Sequence, residues 1–244
     1  MDGRLKRLRH KLRYKILFNM FNKYDYLVLL TKRDQTQGNY KTKTKVIYNM
    51  LNSIPTDGAN LSSKNVISVG SMYDNRKNFK EQIEMWKSVC LSHPDWTLNI
   101  YGDGGEKFFL QKLIDKYKLN EFVILHGNTN KITEKYKNSS IFLFTSQAEG
   151  YPMVLIEAQS NGLPCIAYDA PTGPSEIIVD KKNGFLIENN NIKELEKKLT
   201  LLMDDEELRI EMGNNARTSS KKYLPDIVMK KWINFFLELQ KIKK

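Results

Sequence analysis

The residues best suited to do chemistry lie between Ser146 and Glu157, in the run SQAEGYPMVLIE. Two carboxylates, Glu149 and Glu157, bracket a glycine, a proline and an apolar stretch. The apolar segment IFLFT precedes them, so the order reads strand, short polar loop, then a helix opening at Pro152. Proline is favoured at the first helical position because its missing N–H would have no partner there. The amides of Met153 and Val154 would then point into the loop with the helix dipole behind them, a site suited to a phosphate. Acceptor-only carboxylates on either side of a phosphate suit a ligand with hydroxyls at both ends, and a nucleotide sugar fits that description. A structural explanation stands beside this one: a glutamate ahead of a helix is favourable N-terminal charge whatever the ligand.

Holding these groups requires a frame, and the chain alternates short apolar runs with helical patterns. The strands read as VISVG (66–70), TLNIYG (97–102), FVILHG (122–127), IFLFTS (141–146), PCIAYD (164–169) and a weak GFLI (184–187). Helices are expected over 77–91, 105–117, 131–137, 152–161 and 174–179, then 191–202, 204–219 and 225–240. Apolar strands of about five residues alternating with helices mean βαβ units and a parallel sheet buried on both faces. In such sheets ligands bind beyond the carboxyl ends of the strands, where Gly70, Gly102, Gly127, Ser146 and Asp169 fall. Upstream, residues 3–22 read as a helix, Tyr24–Thr31 as a buried strand and KVIYNM (45–50) as a short strand after a polar stretch. Residues 52–64, rich in Ser, Asn, Pro and Gly, are the best linker candidate.

Two further loops carry ligand groups. In VGSMYDNRKNF (69–79), Gly70 allows close backbone approach, and Arg76 and Lys77 open a helix. A cation at a helix N-terminus opposes the dipole, and that local conflict points to function. The loop YGDGGE (101–106) is weak on its own, because it lacks the dinucleotide-binding glycine spacing.

Bulk properties narrow the classes. The chain has 244 residues, 41% of them apolar, a formal charge of +11 and a mean hydropathy of −0.52, with no apolar run long enough to span a membrane. No signal peptide is visible. Cys90 and Cys165 read as buried free thiols, which suits a reducing compartment. His10, His93 and His126 are scattered and predict no zinc site. The positive charge concentrates at the ends. Leu5, Leu8, Leu12 and Ile16 recur at helical spacing among the N-terminal cations, an amphipathic pattern that suits either an anionic membrane surface or a solvated helix face. No recognised nucleic-acid-binding motif is present.

Taken in order, Gly70, Lys77, Leu98 to Gly104, Gly127, Ser146, Glu149, Gly150, Pro152 and Glu157, followed by GLPCIAYDAPTGPSEII and NGFLI, resemble the nucleotide-sugar-binding half of retaining glycosyltransferases of family 4, which have the GT-B fold. The resemblance covers residues 63–222, and the APTGPSEII segment looks most like bacterial enzymes that build capsule or other surface polysaccharides. It implies a Rossmann-like parallel sheet, the C-terminal domain of a GT-B fold. It also implies that Glu157 grips ribose hydroxyls, that Glu149 bonds the donor sugar, and that Lys77 and the amides of Gly150, Tyr151, Pro-flanked Met153 and Val154 stabilise the departing diphosphate. Lys77 and Glu149 are thus the expected catalytic pair. The expected donor site comprises Gly70, Ser71, Arg76, Lys77, Gly102, Gly127, Ser146, Glu149, Gly150, Tyr151, Pro152, Met153, Val154 and Glu157. Nucleoside diphosphate departure builds negative charge, and preorganised cations and N–H groups stabilise it. No metal or cofactor is expected, and the run MDDEE (203–207) reads as helix N-terminal charge.

Two departures stand out. Ser71 occupies the position where the family usually has arginine, and Arg76 is the candidate to compensate. Residues 1–52 read as only a remnant of the N-terminal acceptor domain, ahead of a linker (53–64), the donor domain (65–222) and a helix (223–244) packing back toward the other half, its Trp232, Phe235 and Phe236 exposed. The expectation is therefore a donor half, inactive in transfer without an N-terminal half or a partner chain that supplies it. Its ligands would be a UDP-sugar and a glycan or lipid-linked acceptor, and its place the cytoplasm or the inner face of the membrane. A nucleotide-sugar-binding module without turnover and a basic interaction protein are the alternatives.

Overall fold

All strand pairs among the described residues run parallel, as short apolar runs separated by helices require. The computed structural model describes residue 17 and residues 19–242, and divides into two compact units with the boundary between Tyr48 and Asn49.

In the first unit, β1 (Tyr26–Leu29) pairs with β2 (Lys43–Val46) through the register Tyr26↔Lys43 to Leu29↔Val46. Between them lies α1 (Lys32–Gln37), within a stretch expected only to be polar. Thr31 caps it, accepting from the Asp34 amide at 2.9 Å, and Gln35 Nε2 reaches Thr44 Oγ1 at 2.9 Å. β1 is shorter than the expected Tyr24–Thr31 and half-buried rather than buried, because in this unit it has a single strand neighbour. β2 begins ahead of the expected 45–50, since Lys43 and Thr44 already pair with β1. Leu17 and Asn19 to Phe21 are helical. The rest of the basic helix, with Leu5, Leu8, His10, Leu12, Ile16 and Phe18, lies outside the described residues.

The second unit is built on a six-stranded sheet in the order β5-β4-β3-β6-β7-β8. Its strands are β3 (Asn65–Val69), β4 (Thr97–Tyr101), β5 (Val123–Gly127), β6 (Ile141–Phe144), β7 (Cys165–Tyr168) and β8 (Gly184–Ile187). GFLI, weak in sequence, pairs along its whole length with β7, from Cys165↔Gly184 to Tyr168↔Ile187. The helices are α2 (Phe79–Ser92), α3 (Lys107–Lys116), α4 (Ile132–Lys137), α5 (Met153–Ser160), α6 (Pro174–Ile177), α7 (Ile192–Asp204), α8 (Glu206–Ser220) and α9 (Pro225–Ile242). The core joins Val66, Leu98, Ile100, Ile141, Leu143 and Ile166 of the strands to Ile83 and Trp86 of α2, Leu110 and Ile114 of α3, and Leu195 and Leu199 of α7. Each such side chain contributes about 1.5–3 kcal/mol by leaving water.

The sheet is the α/β frame expected, and four local readings change. Helix α2 starts at Phe79, not at residue 77, because Asn78 takes a left-handed φ of 54° and parts the helix from a 3₁₀ turn, Asn75–Lys77. Pro152 is the cap of α5 rather than its first residue, with ψ at 88°, outside the helical range. Cys165 is buried as expected, but Cys90 is only half-buried, packed at the margin of the core. In α9, Phe235 is buried and Trp232 half-buried, leaving only Phe236 of the three aromatics exposed. Of the acidic run, Asp205 caps α8 by accepting from Leu208 N at 2.9 Å with Glu206 and Glu207 in the first turn, while Asp204 ends α7 beside His93. Residues 53–64 are stitched down: Ala59 N donates to Asn161 O and Asn60 N to Lys137 O. No helix of the described residues is long and apolar enough to cross a membrane.

Candidate functional site

β3 is the strand from which the sheet grows both ways, to β4 on one side and β6 on the other. Outside the carboxyl ends of β3 and β6 the crossovers diverge and leave a crevice, the place where open parallel sheets take ligands. The loops after β3, β4, β5, β6 and β7 meet there, held together by main-chain bonds. Gly70 N donates to Tyr101 O at 3.0 Å, Gly102 N to Gly127 O at 2.9 Å, Met72 N to Asp103 O at 2.9 Å, Gln147 N to Arg76 O at 2.8 Å and Glu149 N to Pro171 O at 3.0 Å. So close a meeting needs glycine at Gly102, whose φ is 145° and whose added Cβ would lie 1.8 Å from Gly70 O.

At the centre, Lys77 Nζ stands 2.5 Å from Glu149 Oε1, with the two side chains only 20% and 13% exposed. The ammonium also lies 5.4 Å from the centroid of the Phe144 ring. Asp74 starts the 3₁₀ turn by accepting from Arg76 N at 3.3 Å, and left-handed Asn78 ends it. Lys77 therefore precedes α2 instead of opening it. Its aliphatic stem lies over Gly70, where a Cβ would come within 3.0 Å of Lys77 Cγ and Cδ. Gly70 is what lets the lysine lie flat across the end of β3.

Glu157 projects from the second turn of α5, and Tyr136 Oη donates to its Oε2 at 3.3 Å. Burial raises Glu157 above the ordinary carboxylate value, and the Tyr136 hydroxyl pulls it part of the way back. Tyr136 is fully buried against Phe142, so its hydroxyl must find a partner inside the protein. A cleft of about 330 Å³ runs from Gly70, Ser71 and Gly102 past Tyr101, Asn128 and Thr129 to Glu157. A second cavity, about 510 Å³, shares Ile132 and Glu157 with it and is walled by Met153, Tyr136 and residues 50–53.

The expected site residues thus separate by position. Gly70, Ser71, Gly102 and Glu157 line the cleft, and Lys77 and Glu149 form the ion pair. Gly127 is buried in the loop lacing, at a φ of 76°. Ser146 is buried, its hydroxyl donating to the carbonyls of Arg76 and Ala148 at 3.2 and 3.3 Å, so it braces the loop. Arg76 turns to Asp74 at 2.7 Å on the surface, with its side chain 68% exposed, and is not in the cleft wall. Gly150 faces open space, while Tyr151 and Pro152 are buried and Met153 and Val154 half-buried at the start of α5. Tyr101, Asn128, Thr129 and Ile132 also line the cleft and Tyr136 bonds Glu157, and none of the five stands out in the sequence pattern. For Tyr136 a signal existed: a tyrosine on the inward face of a short helix needs a polar partner.

Among the described residues no group of three His, Cys, Asp or Glu could hold a metal ion.

A family profile, Glycosyl transferases group 1, matches residues 53–219. The chain belongs to the group 1 glycosyltransferases. An uncharacterized glycosyltransferase of Haemophilus influenzae is 34% identical over 212 residues, which cover 85% of this chain and 60% of that protein. The amylovoran biosynthesis glycosyltransferase of Erwinia amylovora is 38% identical over 167 residues, covering 68% of this chain and 46% of the relative. Among solved structures, Staphylococcus aureus TarM in complex with UDP, fondaparinux and alpha-GlcNAc-glycerol superposes with a TM-score of 0.82 at 29% identity, covering 91% of this chain and 46% of TarM. This group 1 glycosyltransferase chain therefore spans from about half to 60% of the length of these relatives.

Proposed function

We propose that residues 65–222 form the donor-binding domain of a retaining family 4 glycosyltransferase, which moves a sugar from a UDP-sugar to a glycan or lipid-linked acceptor in surface polysaccharide synthesis. The observation that carries this reading is the half-buried Lys77–Glu149 pair, set at the switch point of the sheet beside a cleft that ends on Glu157. Relatives support the biological setting: one acts in amylovoran biosynthesis, and another, from S. aureus, is a poly(ribitol-phosphate) alpha-N-acetylglucosaminyltransferase 28% identical over 91% of this chain. The TarM structure with UDP supports the nucleotide.

In this reading the nucleoside lies in the cleft, with its ribose hydroxyls on Glu157. Lys77 has three N–H donors, and only one is engaged by Glu149, so two remain for diphosphate oxygens. As the bond to the sugar breaks, negative charge grows on the diphosphate, and Lys77 with the first amides of α5 stabilises it. Glu149 keeps Lys77 in place while the site is empty and bonds sugar hydroxyls when it is filled. Thr172 N and Oγ1 donate to Glu149 O at 3.0 and 3.3 Å, so the loop after β7 holds the backbone of that carboxylate.

Glu157→Ala provides the test. Loss of charge-assisted bonds to two hydroxyls should weaken UDP binding by about 1.5–3 kcal/mol in calorimetric titration. Unchanged affinity would remove Glu157 from the nucleotide site. Hydrolysis or transfer of the sugar from a UDP-sugar would separate an enzyme from a binding module.

A further inference from the structure

Gln82 lies on the sheet-facing side of α2, with no exposed surface, among Ile83, Trp86 and other apolar side chains. Its Nε2 donates to Ser68 Oγ at 3.0 Å and to Thr145 Oγ1 at 2.7 Å. Thr145 Oγ1 in turn donates its single proton between Lys77 O at 2.9 Å and Asn78 O at 3.3 Å. Ser68 and Thr145 are also buried, on β3 and just past β6. These bonds connect the two strands that flank the switch point to the backbone of the turn that carries Lys77. Beside Gln82, Asn78 Nδ2 and the Tyr168 hydroxyl both donate to the Glu81 carboxylate, which ties the same turn to β7.

Stability alone does not call for this arrangement. Gln82 Oε1 has no partner among the described residues, and a primary amide buried half-satisfied costs free energy that an apolar side chain of similar size would not. What the bonds do supply is position. Lys77 swings on a three-residue turn next to a left-handed residue, and its ammonium must meet a diphosphate within hydrogen-bond reach.

We propose that Gln82 and Thr145 are positioning residues for Lys77, a buried relay that fixes the turn from beneath so that the ammonium meets the diphosphate. This rests on the reading of Lys77 as the diphosphate cation. It predicts a loss confined to ligands that carry the diphosphate.

Thr145→Val keeps the shape and removes all three hydroxyl contacts; Gln82→Leu removes the amide. The purified 244-residue chain would be titrated calorimetrically with UDP and, separately, with uridine. Each variant should bind UDP about threefold to tenfold more weakly and bind uridine as the parent does. Thr145→Ser should restore UDP affinity, and Thr145→Val should have no effect in a Lys77→Met background, since nothing is left to position. Melting temperatures should stay within a few degrees of the parent. If UDP and uridine affinities fall together, or neither changes, the relay is structural only and the proposal is overturned. Should Thr145→Val fail to fold, Gln82→Leu decides by the same comparison. A parent chain that binds uridine and UDP equally would overturn the role of Lys77 itself, and the relay with it.

Discussion

Gly70→Ala isolates the packing of Lys77 from its charge. The φ of Gly70 lies outside the left-handed range, so alanine is acceptable to the backbone. The new Cβ would lie 3.0 Å from Lys77 Cγ, 3.0 Å from Cδ and 3.1 Å from Cε. Carbon atoms rest at about 3.5–4.0 Å, so the stem must lift by roughly half an ångström or more. A lysine stem can do that at small cost to the fold, but the ammonium at its end moves further than the stem. Its 2.5 Å contact with Glu149 lengthens, and its reach to a diphosphate is altered. Complete loss of a charge-assisted bond is worth about 1.5–3 kcal/mol. Losing a third to a half of that gives about 1 kcal/mol, or roughly fivefold in affinity. Calorimetric titration with UDP should show that fall, with a melting temperature close to the parent's. Gly102→Ala is the contrast: its Cβ would lie 1.8 Å from a main-chain carbonyl that cannot swing away, so that variant should lose stability. Parental UDP affinity in Gly70→Ala would refute the claim that the Lys77 stem crosses this glycine when the site is filled.

Other outcomes follow from the same contacts. Glu149→Gln should hold or raise UDP affinity, because it releases Lys77 from its carboxylate, yet it should lower affinity for the intact UDP-sugar; an equal loss for both ligands in titration would assign Glu149 to the phosphate or the loop. Ribose binding needs the Glu157 carboxylate, so UDP affinity should fall as the pH drops through the raised value of that group. Tyr136→Phe removes the one contact that pulls Glu157 down, so the midpoint of that acid loss should move to higher pH, and an unmoved midpoint would mean the hydroxyl does not act on the carboxylate. For stability the sign is opposite. A carboxyl raised by folding contributes fully below its ordinary value and loses that contribution as pH rises through the folded one.

Fold class and strand order of appearance were legible because each strand is a short apolar run closed by glycine or a polar residue. VISVG, TLNIYG and FVILHG end where β3, β4 and β5 end, to within a residue. The helix of residues 32–37 was missed because its six residues are all polar and carry no apolar periodicity; Thr31 and Asp34, a capping pair, were the available signal. Lys77 and Glu149 were legible as site candidates from loop position, but their direct pairing was not, since 72 residues separate them. Arg76 shows the limit of adjacency as a guide. It neighbours Lys77 in sequence, yet a 3₁₀ turn rotates successive side chains by about a third of a circle. The structure accordingly directs Arg76 to Asp74 and Lys77 to Glu149.

The loops at the carboxyl edge of the sheet are joined chiefly by peptide groups: Gly70 to Tyr101, Gly102 to Gly127, Gln147 to Arg76, Glu149 to Pro171. Peptide groups are common to every residue type. Side chains that face the cleft, such as Ser71, Asn128 and Thr129, can therefore be exchanged without loosening the framework that holds the ion pair. Lineages carrying this scaffold would be free to drift in what they recognise while inheriting, unchanged, the apparatus that holds Lys77 and Glu149 in register.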